Sequence, residues 1–308
     1  MIKVAVIGVG SIGQHHARIF SGIEDVELVG IVDNDKARAE ELAAKYSCGA
    51  YSDYKDIIDS VDAVSLAVPT TLHFQIAMDL LKNNKHLLVE KPITTTIEEA
   101  DKLIAEADRQ NLVLQVGHLE RFNSGVSMVS DMVKKPQFIE SQRLSPFLGR
   151  GIDVDVTLDL MIHDIDIILS LVNSKITDLR ATGAHVMTEN IDIAHAWIEF
   201  ENGCIAEAVS SRIADGKTRK LKVFQQDAFI DLDYQSQEIA CYTKQDGQVR
   251  KEIKRPEEKE PLKEQLISFI DCIRNNKQPI VSGQEGKEAL KVVLKVSGLV
   301  KDGLKILK

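Results

Sequence analysis

The sequence is poor in the features that stabilise small secreted or fibrous proteins. Its 308 residues include four cysteines, seven prolines and eighteen glycines, and aromatic residues make up 5%. No apolar run approaches the roughly 18 to 20 residues that span a bilayer, and the N-terminus has no signal-peptide pattern. These absences exclude fibrous, low-complexity and membrane-spanning classes, and they predict a cytoplasmic protein.

Positive charge and metal-binding spacings are also scarce. Lys and Arg total 38 against 47 Asp and Glu, which leaves a formal net charge of −9. Because negative charge repels phosphate backbones, we expect no nucleic-acid partner. No CxxC or Cys/His spacing occurs around the cysteines, so we expect no metal site and four separate thiols at Cys48, Cys204, Cys241 and Cys272.

What is present is the pattern of an α/β protein with two domains. Short β-branched apolar runs alternate with helical stretches up to residue 118, which is typical of a parallel sheet covered on both faces. Residues 1–118 are therefore predicted to form a doubly wound Rossmann domain. Residues 119–308 are predicted to form an α+β domain with an open, mostly antiparallel sheet, whose hairpin signals are Asn202-Gly203, Asp215-Gly216 and Asp246-Gly247.

The first apolar run ends in a GxGxxG motif, Gly8-Val9-Gly10-Ser11-Ile12-Gly13, and a helical pattern follows at once. In this context Gly8 permits a tight turn, Gly10 lets the backbone approach a pyrophosphate, and Gly13 allows close packing of helix on strand. The helix N-terminus supplies N–H groups and partial positive charge for phosphates. The motif predicts a dinucleotide site, and the adjacent His15 and His16 are interpreted as packing or capping residues.

Asp33 stands twenty residues after Gly13, at the end of the second predicted strand. An acidic residue there accepts hydrogen bonds from the adenosine ribose and repels a 2′-phosphate, which favours NAD over NADP. Lys36 and Arg38 follow closely and keep NADP as an alternative.

Two other segments carry groups suited to chemistry. Lys91, in Glu90-Lys91-Pro92, follows a predicted strand and so lies at the sheet edge where ligands bind, although an ordinary surface lysine is an equal alternative. In the apolar segment 156–172, a single polar stripe within roughly a 60° arc of a helix contains Asp159 and His163. A carboxylate beside an imidazole suits a general base, whereas a structural pair is the alternative. Asp164 lies off the stripe and is expected to cap or to pair with a neighbour.

Taken together, these segments resemble the glucose-fructose oxidoreductase, inositol dehydrogenase and MocA (Gfo/Idh/MocA) family of NAD(P)-dependent oxidoreductases. The segments are Gly8 to Gly13, Glu90-Lys91-Pro92, Gly117 to Phe122, Asp159 to His163 and Ser282 to Gly286. Residues 115–123 and 159–167 are similar to the UDP-N-acetylglucosamine 3-dehydrogenase branch. Met161 stands where the common family pattern has glycine, which argues against simple transfer of polyol or inositol specificity.

The resemblance implies a Rossmann domain and a second domain whose open sheet often forms the interface of a homodimer or homotetramer. It implies that Lys91 and His163 are the catalytic pair, beside Asp159. Two assignments of roles are open: His163 is the base and Lys91 stabilises the alkoxide, or a neutral Lys91 is the base. Further cofactor contacts are expected at Ser11, Ile12, Pro69, His73, Glu90 and Lys91, and substrate contacts at Lys91, Arg121, Asn123, Arg150, Asp159 and His163.

The leading hypothesis for function is NAD-dependent oxidation of the 3-hydroxyl of UDP-N-acetylglucosamine to a ketone, which an aminotransferase partner would convert to an amine. The alternatives are a dehydrogenase of a free sugar or inositol and a non-catalytic dinucleotide sensor. A UDP group needs cations for its pyrophosphate, and guanidinium groups suit phosphate oxygens. The candidates are Arg121, Arg143, Arg150 and Arg212.

Overall fold

A six-stranded parallel sheet organises the N-terminal part of the chain. The computed structural model describes residues 1–149 and 151–306. The strands are β1 (Ile2–Ile7), β2 (Val26–Val32), β3 (Gly49–Tyr51), β4 (Ala63–Leu66), β5 (His86–Glu90) and β6 (Leu114–Gly117). Their order, β3-β2-β1-β4-β5-β6, confirms the predicted Rossmann fold and puts the topological switch between β1 and β4.

Four helices connect these strands, as the alternation of apolar runs and helical stretches predicts. They are α1 (Gly13–Phe20), α2 (Lys36–Tyr46), α3 (His73–Lys82) and α4 (Ile97–Gln110). The start of α4 is set by a capping box, in which the Thr96 side chain accepts the Glu99 N–H and the Glu99 carboxylate accepts the Thr96 N–H. Within the described residues, no helix has the length and apolar character needed to cross a membrane.

An eight-stranded sheet organises the second part of the chain. The strands are β7 (Pro136–Leu144), β8 (Ile176–Ala184), β9 (Ile193–Phe200), β10 (Ile205–Ser211), β11 (Thr218–Gln225), β12 (Ala228–Asp233), β13 (Glu238–Gln245) and β14 (Gln248–Lys254). Their order is β14-β13-β12-β11-β7-β10-β9-β8, and every pair is antiparallel except β7 with β10. The prediction of a mostly antiparallel sheet is confirmed.

One face of this sheet is buried and the other is open. Along β9 and β10 buried residues alternate with half-buried ones, the period of two expected of a sheet that packs on one side. The open face carries a row of aromatic rings with neighbouring centroids 4.6 to 6.0 Å apart. The row consists of Trp197, Phe138, Phe224, Phe229 and Tyr242.

The hairpin signals had mixed outcomes. Asn202-Gly203 joins β9 to β10, and Asp246-Gly247 joins β13 to β14 with both residues at positive φ, as a tight hairpin requires. Asp215-Gly216 does not form the predicted hairpin, because β7 lies between β10 and β11 and pairs with both. The strands β3 and β8 were not predicted; β3 is only three residues long, too short to show a period.

Four further helices lie in the second half of the chain, and the last two change the predicted domain division. They are α5 (Ser124–Met132), α6 (Ile162–Val172), α7 (Pro261–Asn275) and α8 (Gly283–Ile306).

One compact unit comprises residues 1–119 with 260–287, and the other comprises residues 120–259 with 288–308. The predicted continuous domain over 119–308 is therefore corrected: Leu266 and Phe269 of α7 join the core that contains Phe20, and the Gln115 amide donates to the Gln265 carbonyl at 3.1 Å.

In the second unit, a buried carboxylate holds the chain between β8 and β9. Asp192 Oδ2 accepts the N–H groups of Val186, Met187 and Thr188 at 2.8, 2.7 and 2.9 Å. Burial by itself would raise the pKa of Asp192, but these hydrogen bonds and that from the Thr188 hydroxyl lower it to about 2. The ionised carboxylate therefore stabilises the native state.

We expect Asp192→Asn to be destabilising in a pH-dependent way. Because the folded pKa lies below the ordinary value, the wild-type carboxylate contributes its full stabilisation above about pH 4 and loses it as pH falls towards about 2. The expected pH-dependent part is about 2 kcal/mol in the free energy of unfolding. Urea unfolding at pH 7, 5, 4 and 3 measures it, with the exposed Asp215→Asn as control. A stability difference that did not change with pH would contradict the assignment.

Candidate active site

The three motif glycines are required for three different reasons. Gly8 has φ +83°, and a Cβ there would lie 2.7 Å from the Ala67 carbonyl oxygen. A Cβ at Gly13 would lie 1.9 Å from the Gly8 carbonyl oxygen, so α1 packs directly on the turn. A Cβ at Gly10 would have no described atom within 4 Å. Protein packing therefore does not explain Gly10, whereas close approach of a ligand to the backbone does.

The N-terminus of α1 is suited to an anion. Its N-cap residue is Ile12, whose side chain has no hydrogen-bond acceptor, and the first turn carries no acidic residue. By contrast, α2 and α4 are capped by the Asp35 and Thr96 side chains. The N–H groups at the start of α1 therefore have no side-chain cap among the described residues, and the helix dipole favours negative charge there. The turn and the helix together fit a pyrophosphate.

Asp33 is joined to the glycine turn. Its carboxylate accepts the Val9 N–H at 2.8 Å through Oδ2 and the Asp35 N–H at 2.9 Å through Oδ1. The Arg38 guanidinium lies 3.6 Å from Asp33 Oδ2 and 3.1 Å from Asp35 Oδ2. A carboxylate suited to a ribose diol and a cation suited to a phosphate are thus adjacent, which is the arrangement behind the NAD and NADP alternatives.

The turn after β5 presents Lys91. The Lys91–Pro92 peptide bond is cis, and the Lys91 N–H donates to Glu90 Oε2 at 3.3 Å. The Glu90 carboxylate lies against Gly117, where a Cβ would be 2.5 Å from Glu90 Oε1. Glu90 and Lys91 therefore stand at the carboxyl edge of the first sheet, where the sequence places them.

His73 and Pro69 were predicted as cofactor contacts. Pro69 is exposed, whereas His73 is only 1% exposed. The His73 ring nitrogens Nδ1 and Nε2 lie 2.9 Å from the carbonyl oxygens of Pro92 and Val68. Burial lowers the pKa of His73, while hydrogen bonding to these two carbonyls acts in the opposite direction. His73 therefore ties the turn after β4 to the Lys91 turn, and its contact with the cofactor stays a prediction.

In the second unit, a π turn alters the expected helix around Asp159 and His163. Thr157–Met161 form the π turn and α6 begins at Ile162, so Asp159 lies in the π turn and His163 in the first turn of α6. In a π turn each backbone hydrogen bond spans about five residues instead of the four of an α-helix. The 100° spacing of an α-helix therefore does not predict how Asp159 and His163 face each other. Both side chains are half-buried.

Arg143 is the centre of two buried ion pairs, one of which holds α6. Arg143 on β7 makes a two-pronged contact with Asp164, at 2.8 and 3.0 Å, and its third nitrogen donates to Glu120 at 2.9 Å. Burial by itself would lower the pKa of Arg143, but Asp164 and Glu120 raise it overall. Burial, followed by the charge of Asp164, raises the pKa of Tyr234, whose ring lies beside the guanidinium. The prediction that Asp164 pairs with a neighbour is confirmed.

The prediction that Arg143 and Arg212 are candidates for binding the pyrophosphate is corrected. Arg143 is 2% exposed and already neutralised by two carboxylates. Arg212 is 5% exposed and donates to the carbonyls of Gly151 and Val154 at 2.8 and 2.7 Å. A Cβ at Gly151 would lie 2.8 Å from Asp159 Oδ2, so Arg212 holds a loop that lies against Asp159.

The other predicted substrate residues have varied surroundings. Arg121 lies 3.5 Å from Asp166 and is partly exposed. Asn123 is an N-cap, since its side chain accepts the Gly125 N–H at 2.9 Å at the start of α5. Arg150 lies outside the described residues. Over 1–149 and 151–306, no group of three or more His, Cys, Asp or Glu side chains is arranged to hold a metal ion.

Sequence reasoning missed the buried Glu120 and gave His16 only as a packing or capping residue. Glu120 lies inside the Gln115–Asn123 string but carried no separate signal, because its partner Arg143 is 23 residues away. His16 is fully buried beside Ser65 and Glu90.

Comparison with known proteins shows two family models that match parts of the chain. Residues 2–118 match the model of an oxidoreductase family with an NAD-binding Rossmann fold, and residues 134–230 match the GFO/IDH/MocA C-terminal domain. The UDP-N-acetylglucosamine 3-dehydrogenase of Acidithiobacillus ferrooxidans is 33% identical over 96% of both chains. The chain belongs to the Gfo/Idh/MocA family. It is an oxidoreductase, a dehydrogenase acting on CH–OH groups.

The chain is also similar to solved structures and to inositol dehydrogenases. A solved structure of the A. ferrooxidans enzyme has a TM-score of 0.93 at 32% identity and 98% coverage of both chains. Myo-inositol 2-dehydrogenase of Thermotoga maritima is 26% identical over 94% of this chain and 93% of its own. A scyllo-inositol dehydrogenase of Lactobacillus casei, 19% identical with a TM-score of 0.84 over 98% of both chains, shows the shared fold alone.

We expect Gly10→Ala and Gly13→Ala to separate cofactor binding from folding. Gly10→Ala should unfold like the wild type but bind NADH at least about tenfold more weakly, because its methyl group meets only the ligand. Gly13→Ala should lower the free energy of unfolding by about 1 to 3 kcal/mol, because its methyl group overlaps the backbone. Thermal unfolding and NADH fluorescence titration measure both, with Gly298→Ala as control. Normal NADH affinity in Gly10→Ala would refute the assigned site.

Proposed function

We propose that this chain uses NAD+ to oxidise the 3-hydroxyl of UDP-N-acetylglucosamine to a ketone. The observation that carries the proposal is its 33% identity, over 96% of both chains, to an enzyme named for that reaction. The TM-score of 0.93 supports it over the second sheet as well as the first. The inositol dehydrogenase of T. maritima also matches over nearly the whole chain, at 26% identity. A dehydrogenase of a free sugar or inositol is therefore the second candidate.

The first unit fits NAD. Gly8, Gly10 and Gly13 form a backbone turn that a pyrophosphate would fill, with Ser11 and Ile12 at the start of α1. We assign the adenosine ribose to Asp33, and this carboxylate favours NAD over NADP despite the neighbouring Arg38. When bound, NAD+ supplies the hydride acceptor for the reaction.

We assign removal of the substrate proton to one residue and stabilisation of the developing negative charge to another. His163 removes the proton of the substrate hydroxyl, and we assign Asp159, in the preceding π turn, to support the imidazole. Lys91 stabilises the alkoxide by its positive charge, an effect of several kcal/mol where water is excluded. The reversed assignment makes a neutral Lys91 the base, and the pH dependence of kcat in the two single variants distinguishes the two.

A UDP-linked substrate also requires cations. Arg143 and Arg212 are occupied inside the second unit, so we assign the diphosphate to Arg121 and Arg150. Arg121 is partly exposed and its contact with Asp166 is long, at 3.5 Å, which leaves the guanidinium able to change partner.

The proposal also includes an oligomeric interface and a partner enzyme. The open face of the second sheet, with its aromatic row, is assigned to a homodimer or homotetramer interface. The ketone is the substrate class of an aminotransferase, which we propose as a functional partner in the cytoplasm.

We expect purified protein to reduce NAD+ with UDP-N-acetylglucosamine, followed as NADH absorbance, and to turn over free sugars and inositols at least about a hundredfold less efficiently. An aminotransferase with glutamate is added to remove the ketone. Lys91→Ala and His163→Ala should each lower kcat by at least about a hundredfold while NADH still binds. Turnover of an inositol without turnover of the UDP-sugar would favour the second candidate.

We expect Asp33→Ser to lower the preference for NAD+ over NADP+ by at least about tenfold in kcat/KM, because the repulsion of a 2′-phosphate is removed. Adding Arg38→Ala should reverse the gain with NADP+, since Arg38 is the adjacent cation. Initial rates with both cofactors measure the ratio. A wild-type protein that strongly prefers NADP+ would overturn the assignment of Asp33.

A further inference from the structure

His16 connects three elements of the first unit. It is the fourth residue of α1 and is completely buried. Its Nδ1 lies 2.6 Å from Ser65 Oγ on β4, and its Nε2 lies 3.4 Å from Glu90 Oε1 at the end of β5. The helix that begins at the glycine turn is therefore joined through one side chain to the residue that precedes Lys91.

The Glu90 carboxylate lies between Gly117 and His16. On one side is Gly117, where an added Cβ atom would lie only 2.5 Å from Glu90 Oε1. On the other side, Glu90 Oε1 faces His16 Nε2, while Glu90 Oε2 accepts the Lys91 N–H. His16 Nδ1 pairs with the Ser65 hydroxyl, while Nε2 lies 3.4 Å from Glu90 Oε1 without completing a hydrogen bond to it. The two buried atoms therefore face each other, and neither has a hydrogen-bond partner among the described residues.

These residue types also occur in hydrolytic triads, but they cannot act as one here. Ser65 is 0% exposed in the middle of the parallel sheet, so no substrate carbonyl can reach its hydroxyl. What remains is a buried polar chain that runs from β4 through α1 to the Lys91 turn.

We propose that His16 is a positioning residue for Lys91, acting through Glu90. This inference rests on the proposed catalytic role of Lys91. His16 fixes the Glu90 carboxylate, and that carboxylate in turn holds the Lys91 N–H and the direction of the turn. A buried carboxylate that loses the polar group facing it reorients or takes up water, and the backbone it holds moves with it.

Replacement by two amides separates positioning from packing. The amide nitrogen of glutamine can take the place of His16 Nε2 and donate to Glu90, whereas an asparagine amide reaches the place of Nδ1 and contacts only Ser65. We expect His16→Leu and His16→Asn to lower kcat by about tenfold or more, with NADH affinity within about twofold of wild type. His16→Gln should recover most of kcat. The control is His15→Leu, at an exposed position of the same helix.

A second measurement does not depend on turnover. Reductive methylation of the cofactor-free protein, followed by peptide mass spectrometry, gives the labelling rate of Lys91 relative to the exposed Lys55. We expect this ratio to change by about threefold or more in His16→Leu and His16→Asn and to return towards the wild-type value in His16→Gln. If the leucine variant fails to fold, the comparison of glutamine with asparagine decides alone.

The outcomes separate this inference from the proposed function. Equal effects of glutamine and asparagine on both kcat and Lys91 labelling would overturn the positioning role, because they would show that His16 only fills space. Full activity of Lys91→Ala would instead refute the proposed role of Lys91, and the labelling ratio would still report whether His16 controls that turn.

Discussion

The close contact between α1 and the turn that ends β1 is the constraint on which the first unit depends. Gly13 approaches Gly8 so closely that a single added carbon would overlap the Gly8 carbonyl. Because the helix lies this near the sheet, its buried face reaches β4 and β5, and His16 meets Ser65 and Glu90 there. The same contact thus shapes the turn assigned to the cofactor and brings His16 beside Glu90, the residue before Lys91.

The second unit uses buried charge where the first uses close backbone packing. Arg143 holds Asp164, the residue next to His163, and Glu120 shares the same guanidinium. Such pairs add little net stability, since desolvation offsets their attraction, but loss of one partner leaves a buried charge that costs several kcal/mol. Their consequence here is orientation. The start of α6 is held to β7, and Arg212 holds the loop against Asp159.

Sequence patterns predicted the elements whose signal is local. The βα alternation, the glycine turn and the hairpin turns at Gly203 and Gly247 follow from periodicity and from backbone φ preferences. The errors have a common cause. Asp215-Gly216 has the residues of a hairpin, yet β7 from earlier in the chain occupies the place between β10 and β11. Likewise α7 is recognisable as a helix, but its amphipathic face does not say which core it joins.

The site divides in the same way. Several parts of the proposed site could be predicted from the sequence alone, because each needs a residue type at a short spacing from a predicted element. They are the GxGxxG motif, Asp33, and the segments that contain Lys91 and His163. The tertiary structure alone decided which arginines are occupied: Arg143 and Arg212 are indistinguishable from phosphate ligands until Asp164, Glu120 and the Gly151 loop are placed beside them. It also decided that His16 faces Glu90. The partner of a charged or polar side chain is set by which distant segments the fold brings within a few ångströms, and no local pattern encodes that distance.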